Sequence, residues 1–358
     1  MKQLHKGRVP LYQQIFKDLR LRIINGEYKA DEILPSEREL SDIFKVERMT
    51  VRRSLDLLVK DGLIEKQPGC GSVVKFTGYS PEGEDGSLND IAFILPSDDK
   101  RKINQPFMTA LFYSVERECR KHGYNLFVVG GEDYNDIPQL ILKKKIRVAL
   151  WVSSINEDLI QRALLYKIPS ISLLNQLNGC TSILIDNYDG VEKAVEYLIS
   201  VGHKNIAYIN GIEFYSNSKE RFGGYCAALK KNEVEIRESL IETGDWTFES
   251  GYDACKKLLG KEQPTAIFAA NDSMALGAMN AIVELGLSIP NDISVMGFDN
   301  IEQSKYSVPS LSTVSVDVNL LANYAIRFVE DIMTNKSVEP VKIILPASLK
   351  IRDSTKAL

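Results

Sequence analysis

Leu34-Pro35-Ser36-Glu37-Arg38-Glu39-Leu40, followed by Thr50-Val51-Arg52-Arg53-Ser54-Leu55, places two short helices in close succession. Ser36 is a natural N-cap, and Glu39 three residues on completes a capping box, so the first of them starts there. The second opens around Val46-Glu47-Arg48-Met49 and turns Val51, Leu55, Leu58 and Val59 to one side as an apolar stripe; Gly62 stops it. Upstream, Leu11, Ile15, Leu19 and Ile23 recur at helical spacing and give one more helix, ended by Gly26. Downstream, Leu63 to Val74 reads as two short strands around Pro68-Gly69-Cys70-Gly71. Three helices followed by a hairpin predict a winged helix.

A helix that enters a DNA major groove carries basic and polar residues on one face and core residues on the other. Arg48, Thr50, Arg52 and Arg53 surround the Val51/Leu55 stripe in this way. Arg48 and Arg52 are four apart and share a face. Arg38, near the start of the preceding helix, can join them. The alternative is that these are ordinary solvated arginines. Charge along the chain points to DNA: residues 1–78 hold 15 Lys+Arg against 11 Asp+Glu, and the remainder holds 29 against 37.

Residues 77–89, from Thr77-Gly78-Tyr79-Ser80-Pro81 through Gly86-Ser87, are rich in Gly, Ser and acid, with little to bury, and read as a linker between a domain at 1–76 and one at 90–355. In the second domain apolar strands alternate with helical stretches. The strands are expected at residues 91–95, 126–129, 148–152, 170–174, 182–185, 206–209, 266–269 and 293–297, with helices at 108–121, 190–201, 222–231 and 274–285. This rhythm predicts an α/β fold with doubly wound parallel sheets. The strands are too many for one compact sheet, which gives two lobes. Ligands in such folds bind at the carboxyl ends of strands.

Asn271-Asp272 and Asp299 lie at such ends, and Arg221 lies at a helix start after a polar loop. Each has a plainer reading: Asp272 and Asp299 as caps, Arg221 as the partner of a surface carboxylate. Gly202-His203 reads as a helix terminus. Ser97, Gln105, Phe107 and Asn175 are candidates from their places after strands.

The first domain closely resembles the GntR family over residues 9–76, in Pro10-Leu11-Tyr12-Gln13-Gln14-Ile15, the two helical stretches above, Gly62-Leu63-Ile64 and Gly69-Cys70-Gly71-Ser72-Val73-Val74. The resemblance implies that Arg38, Arg48 and Arg52 reach bases or phosphates and that Gly69 lies against the minor groove. Glu47 and Cys70 depart from the family pattern, which favours Ser or Thr at the first and a polar or basic residue at the second. Residues 90–352 resemble the lactose-repressor/periplasmic-sugar-binding fold (type I), in Asn271-Asp272 with Ala275-Leu276-Gly277, Ile289-Pro290-Asn291-Asp292-Ile293-Ser294-Val295, Gly297-Phe298-Asp299 and Pro309 to Val314. That resemblance implies an effector held by Arg221, Asn271 and Asp299, with Trp246 stacking on a sugar ring. These four come from separate segments and are expected to converge only when the lobes close. The same domain order occurs in arabinose-utilisation repressors of Gram-positive bacteria.

The resulting expectation is a ligand-responsive repressor of carbohydrate-utilisation genes. It binds a near-palindromic operator as a homodimer and responds to a monosaccharide such as arabinose, without a cofactor or metal. A purine effector is the alternative within the class, and a solute-binding protein the alternative outside it. The first residues lack a secretory pattern, no apolar run suits a membrane, and five scattered cysteines suit a reducing cytoplasm. An enzyme is not expected: the chain has three histidines and no His-Glu-x-x-His, Walker or Gly-x-Ser-x-Gly motif.

Overall fold

The computed structural model describes residues 10–24, 26–76, 89–95, 105–129, 137, 140, 141, 144, 146–153, 157–334 and 339–358. The linker residues 77–88 and the candidate Ser97 lie outside the described residues. Contacts divide the chain into two units, Met1–Ala92 with Glu132–Ala149 and Asn156–Ser170, and Phe93–Gly131 with Leu150–Ile155 and Ile171–Leu358.

The first unit contains the expected winged helix. Helix α1 (Leu11–Ile24) buries Ile15, Leu19 and Ile23. Helix α2 (Glu37–Phe44) starts with both arms of the capping box in place: Glu39 N–H donates to Ser36 Oγ at 3.3 Å, and Ser36 N–H donates to Glu39 Oε2 at 2.8 Å. Helix α3 (Arg48–Lys60) starts two residues later than the sequence suggests and buries Val51, Leu55 and Leu58. Val59, expected on the apolar side, is instead 39% exposed; Leu58 already fills the inward position of that turn. Ser54 Oγ donates to the Tyr12 carbonyl at 2.9 Å and locks α3 to α1. Strands β1 (Ile64–Gln67) and β2 (Gly71–Val74) form the antiparallel wing. Its base is tied to the α1–α2 connection by the Ile33–Val73 bridge.

The same unit includes helix α5 (Glu157–Leu165). Asp61, just after α3, lies 3.9 Å from Arg20 Nε and 3.5 Å from Arg162 Nη2. The Arg20 guanidinium stands over the Tyr166 ring at 5.2 Å, and Tyr166 meets Phe76 with ring centroids 5.4 Å apart. A partly buried carboxylate between two arginines, roofed by aromatics, thus joins α1 and the end of α3 to α5.

The remaining chain builds two six-stranded sheets. Its elements, in order, are β3 (Asp90–Ile94), α4 (Pro106–Lys121), β4 (Asn125–Val129), β5 (Val148–Val152), β6 (Ser170–Leu173), β7 (Thr181–Ile185), α6 (Asn187–Ser200), β8 (Ile206–Asn210), α7 (Ser216–Lys231), β9 (Ile241–Thr243), α8 (Phe248–Leu259), β10 (Ala266–Ala269), α9 (Asp272–Glu284), β11 (Ser294–Asp299), α10 (Gln303–Tyr306), β12 (Ser312–Ser315), α11 (Val318–Met333), β13 (Lys342–Leu345) and β14 (Ser348–Lys350). The strand orders are β13-β7-β6-β5-β3-β4 and β14-β12-β11-β10-β8-β9. Ladders β8–β10, β10–β11, β11–β12, β6–β7 and β7–β13 are parallel, and β12–β14 is antiparallel. The chain passes between the sheets after β7, after β12 and again between β13 and β14. Strands β3, β5, β6, β7, β8, β10 and β11 are buried along their whole length, as strands covered on both faces must be.

Candidate functional site

Two regions carry candidate residues. On the winged helix, Arg38, Arg48, Arg52 and Arg53 are exposed and Thr50 is half-buried. Gly69, at the wing tip, has φ +82° with open space where a Cβ would stand. Left-handed backbone favours glycine there, and the missing side chain lets the backbone approach a surface closely. Arg52 already has a partner that the sequence does not announce. Its Nε and Nη2 donate to the carboxylate of Glu37, with Nη2···Oε2 at 2.8 Å. Those hydrogen bonds hold the Glu37 carboxyl below its ordinary range.

The second region is a pocket in the second unit, enclosing about 770 Å³ of non-protein space including its open mouth. Gln105, Phe107, Arg221, Trp246, Asn271 and Asp299 all line it, joined by Ser153, Leu174, Ile185, Asn187, Tyr215, Asn217 and Ser273. Asn175 is not part of the lining: its Oδ1 accepts from Ser216 Oγ at 3.1 Å, and Leu174 takes the wall position.

Arg221 is the hub. On α7 it is 4% exposed. Its Nε donates to Asn187 Oδ1 at 2.9 Å, its Nη1 donates to the Ala270 carbonyl, and its Nη2 lies 3.5 Å from Asp299 Oδ1. The guanidinium sits 3.7 Å from the Phe298 ring centroid and 5.6 Å from that of Trp246. The surface-carboxylate reading therefore gives way to a buried ion pair at the pocket wall. Burial pulls the Arg221 pKa down and Asp299 pushes it back; burial pushes Asp299 up to about 7, with Arg221 opposing.

Asn271 has a double structural duty. Its Oδ1 accepts the Met274 N–H at 2.9 Å and so caps α9, while its Nδ2 donates to the Trp246 carbonyl at 3.0 Å. One amide hydrogen and one lone pair are left for a ligand. Asp272 is structural: fully buried, it accepts from Thr313 Oγ1 at 2.5 Å and from the Ile301 N–H at 2.9 Å. Burial and the nearby Asp299 raise its pKa well above the carboxylate range. His203 is structural too, its ring nitrogens meeting Thr265 Oγ1 and the Lys356 carbonyl.

Arg221, Asn271, Asp299 and Trp246 do not need lobe closure to meet. They belong to one sheet and its helices: Asn271 follows β10, Asp299 is the last residue of the adjacent β11, and Trp246 follows β9. Gln105 and Phe107 come from the start of α4, Ser153 follows β5, and Leu174 follows β6. Ser153, Leu174, Trp246 and Asp299 share another property: all are non-glycine residues with φ between +65° and +114°. Such backbone costs of order 1–3 kcal/mol per residue and gathers where a ligand is held. Asn187 is the lining residue most readily missed from sequence, because Asp186-Asn187 before a helix reads as a cap. Asp186 alone makes the cap, and Asn187 links Arg221 to Glu220 Oε2 at 2.8 Å. Among the described residues no cluster of side chains suits a metal ion, and no helix is long and apolar enough to cross a membrane.

A winged helix-turn-helix joined to a doubly wound domain with a polar, ion-paired pocket defines a ligand-sensing regulator of transcription. Comparison with known proteins narrows this. Residues 11–74 match the gntR family of bacterial regulatory proteins, and residues 195–355 match the periplasmic binding protein-like domain. The chain is 35% identical over 239 residues to the probable HTH-type transcriptional repressor ExuR of Bacillus subtilis, covering 66% of this chain and 72% of that one. It is 29% identical to the HTH-type transcriptional repressor PurR of Mannheimia succiniciproducens, over 80% of this chain and 88% of that one. The dimeric Lac repressor structure superposes with a TM-score of 0.66 at 26% identity, over 75% of this chain and 99% of that one. The chain belongs to this family of helix-turn-helix transcriptional repressors, with a GntR headpiece in front of a lactose-repressor-like effector domain, and it is not an enzyme.

Proposed function

We propose that the chain is a dimeric repressor of carbohydrate-utilisation genes, released from a near-palindromic operator by a monosaccharide. The observation that carries this is the lining of the pocket. A carboxylate, a guanidinium and several side-chain amides stand beside an indole. Sugars offer hydroxyl edges that both donate and accept, and one apolar ring face. Arg48, Thr50, Arg38 and the Gly69 wing tip, with Arg52, make the operator contacts. One recognition helix spans a half-site of a few base pairs, so selectivity asks for two copies related by two-fold symmetry; the Lac repressor likeness supports the same assembly.

The test is calorimetry on the full-length protein with a panel of monosaccharides and purines, paired with an operator-release assay. A monosaccharide is expected to bind and to release operator. A purine that does both, while no monosaccharide does either, overturns the sugar reading.

The Asp299 carboxyl adds a pH dependence. A sugar hydroxyl donates a stronger hydrogen bond to the carboxylate than to the neutral acid, so binding favours the ionised form. With the unliganded group pushed up to about 7, protonation competes as the pH falls below that value. Effector affinity is expected to be weaker at pH 6 than at pH 8, by up to about tenfold, the limit that two units across such a midpoint set. Asp299→Asn, measured by the same calorimetry, should flatten the profile; a wild-type profile already flat across this range counts against the role given to Asp299.

A further inference from the structure

We infer that Glu37 is the positioning residue for Arg52, presenting its end-on edge to a guanine and keeping it off the phosphates. The inference rests on the reading that Arg52 meets operator bases.

Both residues stand on fixed backbone. Glu37 is the first residue of α2, held by the Ser36/Glu39 capping box. Arg52 lies on α3, pinned by the Ser54–Tyr12 hydrogen bond and by buried Val51 and Leu55. Between them Arg52 Nε donates to Glu37 Oε1 at 3.0 Å and to Oε2 at 3.2 Å, and Nη2 donates to Oε2 at 2.8 Å. A guanidinium has five N–H groups in a planar fork. The carboxylate takes the side edge, Nε–H and one Nη2–H. The end edge remains, with one Nη1–H and the second Nη2–H, and that pair is the fork that meets guanine O6 and N7.

An arginine side chain on a protein surface is otherwise mobile, and beside DNA its nearest partners are phosphates. Two effects of Glu37 oppose that. It removes rotamer freedom before DNA arrives, so less is lost on binding. Its negative charge also disfavours phosphate at the same spot. Glu37 therefore lowers sequence-independent affinity and raises discrimination.

The test measures binding of full-length wild type, Glu37→Gln, Arg52→Ala and the double variant to operators substituted one base pair at a time and to random DNA, each across a salt series. Glu37→Gln is expected to lose about tenfold in operator-over-random discrimination. The loss should be confined to the base pair whose preference Arg52→Ala abolishes, and the double variant should match Arg52→Ala. Binding of Glu37→Gln to random DNA should be unchanged or tighter, with a salt slope steeper by about one, as one more phosphate contact gives. Unchanged base preference in Glu37→Gln beside a clear Arg52→Ala effect overturns the inference and leaves base reading by Arg52 standing. Arg52→Ala with no altered preference overturns both. Equal loss on operator and random DNA with a lowered melting temperature assigns Glu37 a merely structural role and also overturns it.

Discussion

Arg221→Ala is expected to bind operator as the parent chain does and to stop responding to effector. The side chain is almost wholly buried and touches the Asn187, Ala270 and Asp299 segments at once. Removing it takes away a charge-assisted donor and leaves the Asp299 carboxylate facing the pocket without its cation. Truncating one partner of a buried charged pair in a binding site costs about 2–5 kcal/mol. That weakens effector binding by about thirtyfold to several thousandfold, beyond the range of an ordinary titration. The arginines proposed to read the operator lie on the winged helix and are not among the partners of Arg221, so operator affinity without effector should hold. Because alanine also leaves Asn187 Oδ1 and the Ala270 carbonyl short of a donor, Asp299→Asn is the gentler companion: it keeps the shape and removes the charge. Effector titration of operator-bound protein by fluorescence anisotropy checks both. Release of operator by both variants at the parent's effector concentration would show that this pair does not hold the ligand.

The winged helix was legible because each of its elements follows from local rules. Ser36 and Glu39 mark a helix start, Leu11 to Ile23 keep helical period, and Gly26 and Gly62 end the first and third helices. The α/β rhythm was legible for the same reason, down to β5 at its stated limits. What escaped depends on tertiary partners. Strand β12 is Ser-Thr-Val-Ser, yet Ser312 and Thr313 are fully buried. Their hydroxyls are satisfied by Thr355 and by Asp272, which no hydropathy pattern encodes. The exchange of strands between sheets has no local signature either. At the pocket the strand-end rule found Asn271 and Asp299, but it also proposed Asn175, where the next turn of chain puts Leu174 on the wall. Expecting the main polar residues to need lobe closure was wrong because adjacent parallel strands bring their ends together within one sheet. Glu37 was invisible as a functional residue, since its partner is fifteen positions away on another helix.

Gly277→Ala is expected to unfold the effector domain well below the parent's melting temperature. In an exposed helix this substitution adds stability, by about 1 kcal/mol of helix propensity. Here the sign reverses, because α8 and α9 meet backbone to backbone. A Cβ at Gly277 would lie 2.0 Å from the Phe248 carbonyl oxygen and 2.8 Å from the Tyr252 nitrogen. Across the same contact, a Cβ at Gly251 would lie 2.2 Å from the Met274 carbonyl oxygen. None of these neighbours is a flexible side-chain end, so the helices must separate by on the order of 1 Å, and a close-packed interior resists that. Overpacking of this kind costs about 3 kcal/mol or more, which outweighs the propensity gain of about 1 kcal/mol and lowers the melting temperature by at least about 4–8 °C for a domain of this size. Function should fail along with stability, since α9 begins at the Asn271 cap that holds the Trp246 carbonyl at the pocket. Gly260→Ala is the matched control at the end of α8: it has helical backbone, and its Cβ would find its closest neighbour at 3.4 Å. Thermal melts should place Gly260→Ala at or slightly above the parent and Gly277→Ala far below it. Coincident melts for all three would mean that the two helices are not in backbone contact at this point.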